Sequence, residues 1–286
     1  MPCLSINMEK ILVVGSGIMG AGISEVCAIN GYEVYMYDIQ QAFLDKGMEN
    51  IRQSLEKLYK KGAFGEQPEA ILSRIYTTIS FSDNIDPGII IEAAPENISI
   101  KKKIFSDVSK IYPNVEILAS TTSSLSITEL GSVTPFPDRV IGLHFFNPAP
   151  IMKLVEIIPG YMTSKSIIES SEKFIKALKK EISYSADLPG FVTSRMIGVI
   201  VNEAAWMLYE SVASKEEIDK GIVLGLNHPM GPLALADMIG IDTVLKIIER
   251  LYSGFGDPKY RPCPILYNMV YSNKLGKKTK EGFYKY

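Results

Sequence analysis

The sequence predicts an α/β fold, a doubly wound sheet domain over residues 1–187, followed by a small all-α domain over 188–286. Three observations predict it. Up to about Asp187, short β-branched runs alternate with longer helical patterns, which means a parallel sheet covered on both faces. Beyond Asp187 there is helical periodicity and turn punctuation but no alternating strand. The length of 286 residues predicts two domains, and a chain of that size, 47% apolar and 22% charged, builds a core without disulfide or metal staples.

In order, the first strand is the run Ile-Leu-Val-Val at 11–14, followed by a helix that ends near Gly31. A second strand at 33–38 ends in Asp38. The helix after it carries Leu44, Met48, Ile51, Leu55 and Leu58, a stripe whose spacing predicts core packing. Strands follow at 75–79, 88–94, 116–121 and 139–146. A helix opens at the capping box Ser126 to Glu129, another spans 166–180, and a last strand lies near Ile182. Leu188-Pro189-Gly190 reads as the linker. The second domain has a long helix over 192–209, one opened by the capping box Ser214 to Glu217, a third after Pro232 and a fourth near 265–273.

Thirty basic and 32 acidic residues leave a net charge of -2, so neither nucleic acid nor a polybasic membrane anchor is expected as a partner. The first nine residues lack the pattern of a secretory signal, and no apolar stretch approaches the ~18 residues of a membrane span. Cys3, Cys27 and Cys263 are odd in number and far apart, which argues against a disulfide framework or a zinc site. A small-molecule partner in a reducing cytoplasm is the expectation.

The sharpest local signal is Gly15-Ser16-Gly17-Ile18-Met19-Gly20, directly after the first strand and opening a helix. Gly15 allows the tight turn, Gly17 lets a pyrophosphate approach the backbone, and Gly20 lets helix and strand pack closely. The helix N-terminus then offers N-H groups to phosphates. Asp38 lies 18 residues past Gly20, where a carboxylate accepts both ribose hydroxyls. The reading is a Rossmann-type dinucleotide site. No arginine follows Asp38 to compensate a 2'-phosphate, so NAD is preferred over NADP, while the fingerprint alone leaves FAD open.

A dehydrogenase needs a group that takes the hydroxyl proton, and the two histidines are His144 and His228. His144 ends the strand at 139–146 just before the turn Asn147-Pro-Ala-Pro150, and the returning segment carries Glu156. A hairpin-like return would bring imidazole and carboxylate together, fixing the ring tautomer. A hydrogen-bonded core histidine is equally compatible with this spacing. His228, in a turn-rich stretch, reads as structural.

With these motifs in view, the chain resembles the L-3-hydroxyacyl-CoA dehydrogenase family, which includes the short-chain 3-hydroxybutyryl-CoA dehydrogenases. The resemblance runs in order through ILVVGSGIMGAGIS, IEAAPEN, STTSSLSIT, GLHFFNPAPIMKLVEII, DLPGFVTSR, NHPMGPLALADMIGID and GKKTKEGFYKY. It implies an NAD-dependent enzyme without metal, acting on an acyl-CoA, and a homodimer formed through the helical domain. Carried over by position, it implies that His144 is the general base, Glu156 its orienting partner, and Ser123 a hydrogen-bond donor to the substrate oxygen beside the cofactor. Asn147 would hold the substrate or the loop. Gly15, Gly17, Ile18, Met19, Gly20 and Asp38 would hold the dinucleotide, with Glu96 and Lys101 on its nicotinamide half. Ser54 and Lys61, seven apart on one helix face, would contact the CoA moiety.

Two positions depart from the family pattern. Thr121 stands where an asparagine is usual. Ser194 stands where the helix opening the second domain usually has asparagine, at a substrate-binding position. The sequence leaves two rival readings. A 3-hydroxyisobutyrate or 6-phosphogluconate type dehydrogenase needs a lysine in that long helix, which here has none. A dinucleotide-binding structural or regulatory paralogue remains the alternative, favoured by Ser194 and opposed by the intact His144 and Glu156.

Overall fold

The computed structural model describes residues 9–286 apart from residue 83; Cys3 lies outside the described residues. The chain forms two compact units, Met1–Asp187 and Leu188–Tyr286.

The first unit is built on β1 (Lys10–Val14), β2 (Glu33–Tyr37), β3 (Ile75–Thr78), β4 (Ile89–Glu92), β5 (Ile117–Ser120), β6 (Val140–Phe145), β7 (Leu154–Pro159) and β8 (Glu181–Tyr184). These make one eight-stranded sheet in the order β3-β2-β1-β4-β5-β6-β7-β8. Its helices are α1 (Ile18–Ile29), α2 (Gln41–Lys60), α3 (Pro68–Leu72), α4 (Ile98–Ile111), α5 (Ile127–Gly131) and α6 (Lys165–Ala177). β1, β4, β5 and β6 are buried along most or all of their length, as expected for parallel strands covered on both faces. The sheet departs from the all-parallel expectation at one place, since β7 runs antiparallel to β6 and β8 then pairs parallel to β7. The physical reason is connection length: a return of fewer than ten residues cannot make a right-handed crossover.

α2 buries Leu44, Ile51 and Leu55 from the predicted stripe, with Met48 partly buried against the same core. Ser126 caps α5 by accepting from the Glu129 backbone N-H. Asp187 accepts from the Ser126 hydroxyl and from the Ile127 and Thr128 N-H groups, so the helix N-terminus is satisfied twice over.

The second unit is helical: α7 (Thr193–Tyr209), α8 (Lys215–Lys220), α9 (Pro232–Ile239), α10 (Ile241–Phe255) and α11 (Pro264–Tyr271). The single helix expected after Pro232 is in fact two. Gly240 adopts φ +103°, which ends α9 and starts α10 in a new direction, so a continuous helix is impossible there. Ser214 caps α8 through the Glu217 N-H, as the capping box predicts. Asp237, fully buried, accepts from the N-H groups of Phe283 and Tyr284 and ties the end of the chain to α9. No helix among the described residues is long and apolar enough to cross a membrane.

Candidate active site

The strand order reverses direction between β1 and β4, and a crevice opens at the carboxyl ends of strands where this happens. Gly15 leaves β1 with φ +109°, and a side chain there would sit 2.7 Å from the Ala93 carbonyl oxygen beyond β4. A Cβ on Gly20 would come within 1.8 Å of the Gly15 oxygen, so α1 packs onto the turn only because that residue is glycine. A Cβ on Gly17 would meet nothing within 4 Å. The first glycine and the third serve the turn and its packing, while the second leaves the N-terminus of α1 open to a ligand. Ile18 is 70% exposed at that end, and Met19 is partly buried against the core.

Asp38 follows β2. Its Oδ2 accepts from both the N-H and the hydroxyl of Ser16 at 2.8 Å, and its Oδ1 accepts from the Ile39 N-H. The carboxylate does not cap α2, whose N-cap is Gln40.

Beyond β4 and β5 lies a network that sequence reasoning found in part. Glu96 accepts from the Thr122 hydroxyl at 2.6 Å, the Ser123 N-H at 3.2 Å and the Ser124 hydroxyl at 3.1 Å, with the Ser123 Oγ at 3.4 Å. Lys101 is not on the surface of the crevice. It is 1% exposed, with its ammonium 2.7 Å from Glu92, 3.5 Å from Glu96 and 3.1 Å from the Ala94 oxygen. Glu92, fully buried, also accepts from the Ser120 hydroxyl at 2.6 Å. Glu92 and Ser120 were missed; the available signal was a carboxylate closing the run Ile89-Ile-Ile, which survives burial only with a partner. The departure residue Thr121 sits beside this network, its N-H donating to the Glu92 carbonyl at 2.9 Å.

His144 and Glu156 are directly opposed on β6 and β7. The Nδ1 to Oε2 distance is 2.7 Å, with His144 7% and Glu156 0% exposed. An ionised carboxylate only accepts, so Nδ1 carries the proton and the lone pair belongs to Nε2. The Phe146 ring lies 4.5 Å from the imidazole. Ser120 and Gly142 are register partners on β5 and β6, which brings the ends bearing Ser123 and His144 to the same level of the sheet.

The loop after β6 is an exposed arch: Asn147 and Pro148, joined by a cis peptide bond, are exposed, as are Ile151 and Met152. Its base is held by Lys180, whose ammonium donates to the Ala149 oxygen at 2.5 Å and the Met152 oxygen at 2.7 Å. Burial holds the Lys180 ammonium below the usual lysine range.

The remaining expected residues lie on other elements. Ser54 is half-buried on α2, and Lys61 is the exposed C-cap of that helix. Ser194, 4% exposed, is in the first turn of α7 in the helical unit. His228 follows the π-helical segment Gly221–Gly225 and is half-buried.

Removing hydride from an alcohol carbon requires a proton acceptor beside it, and here an imidazole backed by a buried carboxylate stands at the same end of the sheet as a dinucleotide crevice. That construction defines a dinucleotide-dependent dehydrogenase. The family profile described as "3-hydroxyacyl-CoA dehydrogenase, NAD binding domain" matches residues 10–187, and that of the C-terminal domain matches residues 190–286. The chain belongs to the 3-hydroxyacyl-CoA dehydrogenase family, NAD-dependent oxidoreductases acting on a CH-OH group. It is 46% identical over 278 residues to a 3-hydroxybutyryl-CoA dehydrogenase of Clostridioides difficile, covering 97% of this chain and 99% of that one. It is 39% identical over 290 residues to the mitochondrial hydroxyacyl-coenzyme A dehydrogenase of Sus scrofa, covering 98% and 92%. Among solved structures, an (S)-3-hydroxybutyryl-CoA dehydrogenase from Ralstonia eutropha matches with TM-score 0.93 and 45% identity over 98% of this chain and 99% of that one.

The residues present fit NAD. The open space at Gly17 suits a pyrophosphate at a helix N-terminus, and Asp38 at the end of β2 suits a ribose.

Proposed function

We propose that this chain interconverts (S)-3-hydroxyacyl-CoA and 3-oxoacyl-CoA, with 3-hydroxybutyryl-CoA as a short-chain substrate, and that His144 is the general base. The observation that carries the reading is the 2.7 Å contact between His144 Nδ1 and Glu156 Oε2. NAD, when held by the glycine turn and Asp38, would supply the hydride acceptor. His144 takes the 3-hydroxyl proton on Nε2, and Glu156 holds the ring in the tautomer that makes this possible and balances the imidazolium that results. Ser123 donates a hydrogen bond to the substrate oxygen, and Glu96 orients the turn that carries it. Lys101 acts from beneath, through Glu92 and Glu96. Asn147 holds the substrate or its loop, Ser194 contacts the substrate, and Ser54 with Lys61 holds the CoA moiety.

The active form is a homodimer in the cytoplasm. Leu224 and Leu226 of the helical unit, 75% and 63% exposed, support a partner surface, and Cys27 and Cys263, buried as free thiols, suit a reducing compartment. A structural or regulatory dinucleotide-binding role is disfavoured by the preserved imidazole and carboxylate pair. A panel of C4 to C16 3-oxoacyl-CoA substrates with NADH and NADPH tests the reading. NADH oxidation with acetoacetyl-CoA is expected, and failure to oxidise NADH with any member overturns it.

A further inference from the structure

Four buried side chains meet beneath the turns that follow β4 and β5. Glu92 and Ser120 are fully buried, and Lys101 and Thr122 are each 1% exposed. Glu92 ends β4 and serves three donors at once. Its Oε1 accepts from the Lys101 ammonium at 2.7 Å and from the Ala94 N-H at 2.6 Å, and its Oε2 accepts from the Ser120 hydroxyl at 2.6 Å. Ser120 Oγ in turn accepts from the Thr122 N-H at 3.2 Å. One carboxylate thereby fixes both turns, the one that leads to Glu96 and the one that carries Ser123.

Lys101 is shared unequally between two carboxylates. Glu92 stands at 2.7 Å, and Glu96 reaches it through Oε2 at 3.5 Å. The turn engages the other oxygen of Glu96, with the Thr122 hydroxyl at 2.6 Å, the Ser124 hydroxyl at 3.1 Å and the Ser123 N-H at 3.2 Å. A buried ammonium must keep a counter-charge, so the nearer Glu92 is what lets Glu96 serve the turn. With the Glu92 charge removed, Glu96 is the carboxylate that remains beside Lys101. Closing its 3.5 Å separation to the ~2.8 Å of a charge-assisted hydrogen bond would draw it off the turn.

We propose that Glu92 is a positioning residue for the reaction: by holding the Lys101 ammonium, it keeps Glu96 on the turn that presents Ser123. This rests on the reading that Ser123 donates to the substrate oxygen, and deepens it. Glu92, with no exposed surface, touches neither substrate nor cofactor and acts through Glu96 and Ser120.

The experiment measures kcat of the full chain for acetoacetyl-CoA reduction at saturating NADH. The variants are Ser123→Ala, Glu92→Gln and Ser120→Ala, the latter two also combined with Ser123→Ala, and Glu92→Gln with Lys101→Met. A displacement of the order of 1 Å at a reacting group costs up to about a hundredfold, so Glu92→Gln should lower kcat by about ten- to a hundredfold. Ser123→Ala should lower it by ~10² to 10³, as for a missing donor to developing charge. In the Ser123→Ala background, Glu92→Gln should add little. Adding Lys101→Met to Glu92→Gln should recover part of kcat, because nothing then pulls Glu96 from the turn. A residue that only supports packing would instead lose further with a second buried change. Ser120→Ala leaves the ion pair intact, so it carries the same test if Glu92→Gln does not fold: a lower kcat, masked by Ser123→Ala. Parent-like kcat in Glu92→Gln, losses that multiply with that of Ser123→Ala, or no recovery from Lys101→Met would overturn the positioning role and leave the Ser123 contact standing. Parent-like kcat in Ser123→Ala would overturn the contact itself, and the proposal with it.

Discussion

Asp38 and Ser16 are bound to each other twice, with one carboxylate oxygen taking both the backbone N-H and the hydroxyl of the serine at 2.8 Å. The carboxylate that ends the second strand and the glycine turn after the first therefore move as one piece. Changing Asp38 to Ser should both relax the repulsion of a 2'-phosphate and loosen the turn. A hydrogen bond to a charged group contributes roughly 1.5 to 3 kcal/mol, so kcat/KM with NADH should drop by about ten- to a hundredfold while NADPH use rises. Steady-state kinetics with both cofactors checks this; a parent that prefers NADPH, or a variant without gain in NADPH use, refutes the assignment.

His144→Gln should lose about 10² to 10⁴ in kcat with the fold intact, as for a missing general base. Glu156→Gln should lose activity through the histidine it orients. Because one acts through the other, the double variant should be little worse than His144→Gln alone, and a loss equal to the product of the two would argue against a pair.

Ser194 is buried in the first turn of α7, at the position where the sequence resemblance implies a longer carboxamide. A bridging water would restore the reach at a cost of ~0 to 2 kcal/mol. Ser194→Ala should accordingly lower kcat clearly, and Ser194→Asn should change it modestly. A silent alanine variant with a large gain from asparagine would mark the position as a defect and favour a weakly catalytic protein.

Glu25, buried on α1, links stability to pH. Its carboxyl moves from 4.5 to about 7 on folding, so the folded state binds the proton more tightly than the unfolded chain. Stability from this source is complete below about pH 4.5 and is lost as pH rises through about 7, on the order of 3 kcal/mol in all. Thermal melts of Glu25→Gln should match the parent at pH 5 and exceed it by several °C at pH 8.

Lys180→Met would leave the carbonyls of Ala149 and Met152 without their donor, costing about 1 to 3 kcal/mol for each left buried. The arch carrying Asn147 should loosen, raising KM for the acyl-CoA while KM for NADH stays unchanged. Arginine should restore part of the loss, and an equal rise in both KM values would point to a general structural role.

The parts of this architecture legible in the sequence were those encoded by short-range pattern. The glycine turn, the stripe of Leu44, Ile51 and Leu55, the two capping boxes and the return from His144 to Glu156 each lie within a window of about a dozen residues. What was illegible depended on contacts across elements. Glu92 finds Lys101 only because α4 returns to the end of β4, and nothing local to Ile89-Ile-Ile-Glu92 announces the partner. The break at Gly240, where a positive φ separates α9 from α10, was not visible in the single helix expected after Pro232.

The placement of His144 and Glu156 as opposed residues of two paired strands has an evolutionary consequence. Their separation is set by the peptide ladder between β6 and β7, not by the arch that joins those strands. Insertions, deletions and substitutions in residues 146–153 can reshape what the arch touches without altering the distance between ring and carboxylate. The geometry of the pair is thus insulated from the joining segment, so sequence change in the arch can proceed while ring and carboxylate are inherited in the same register.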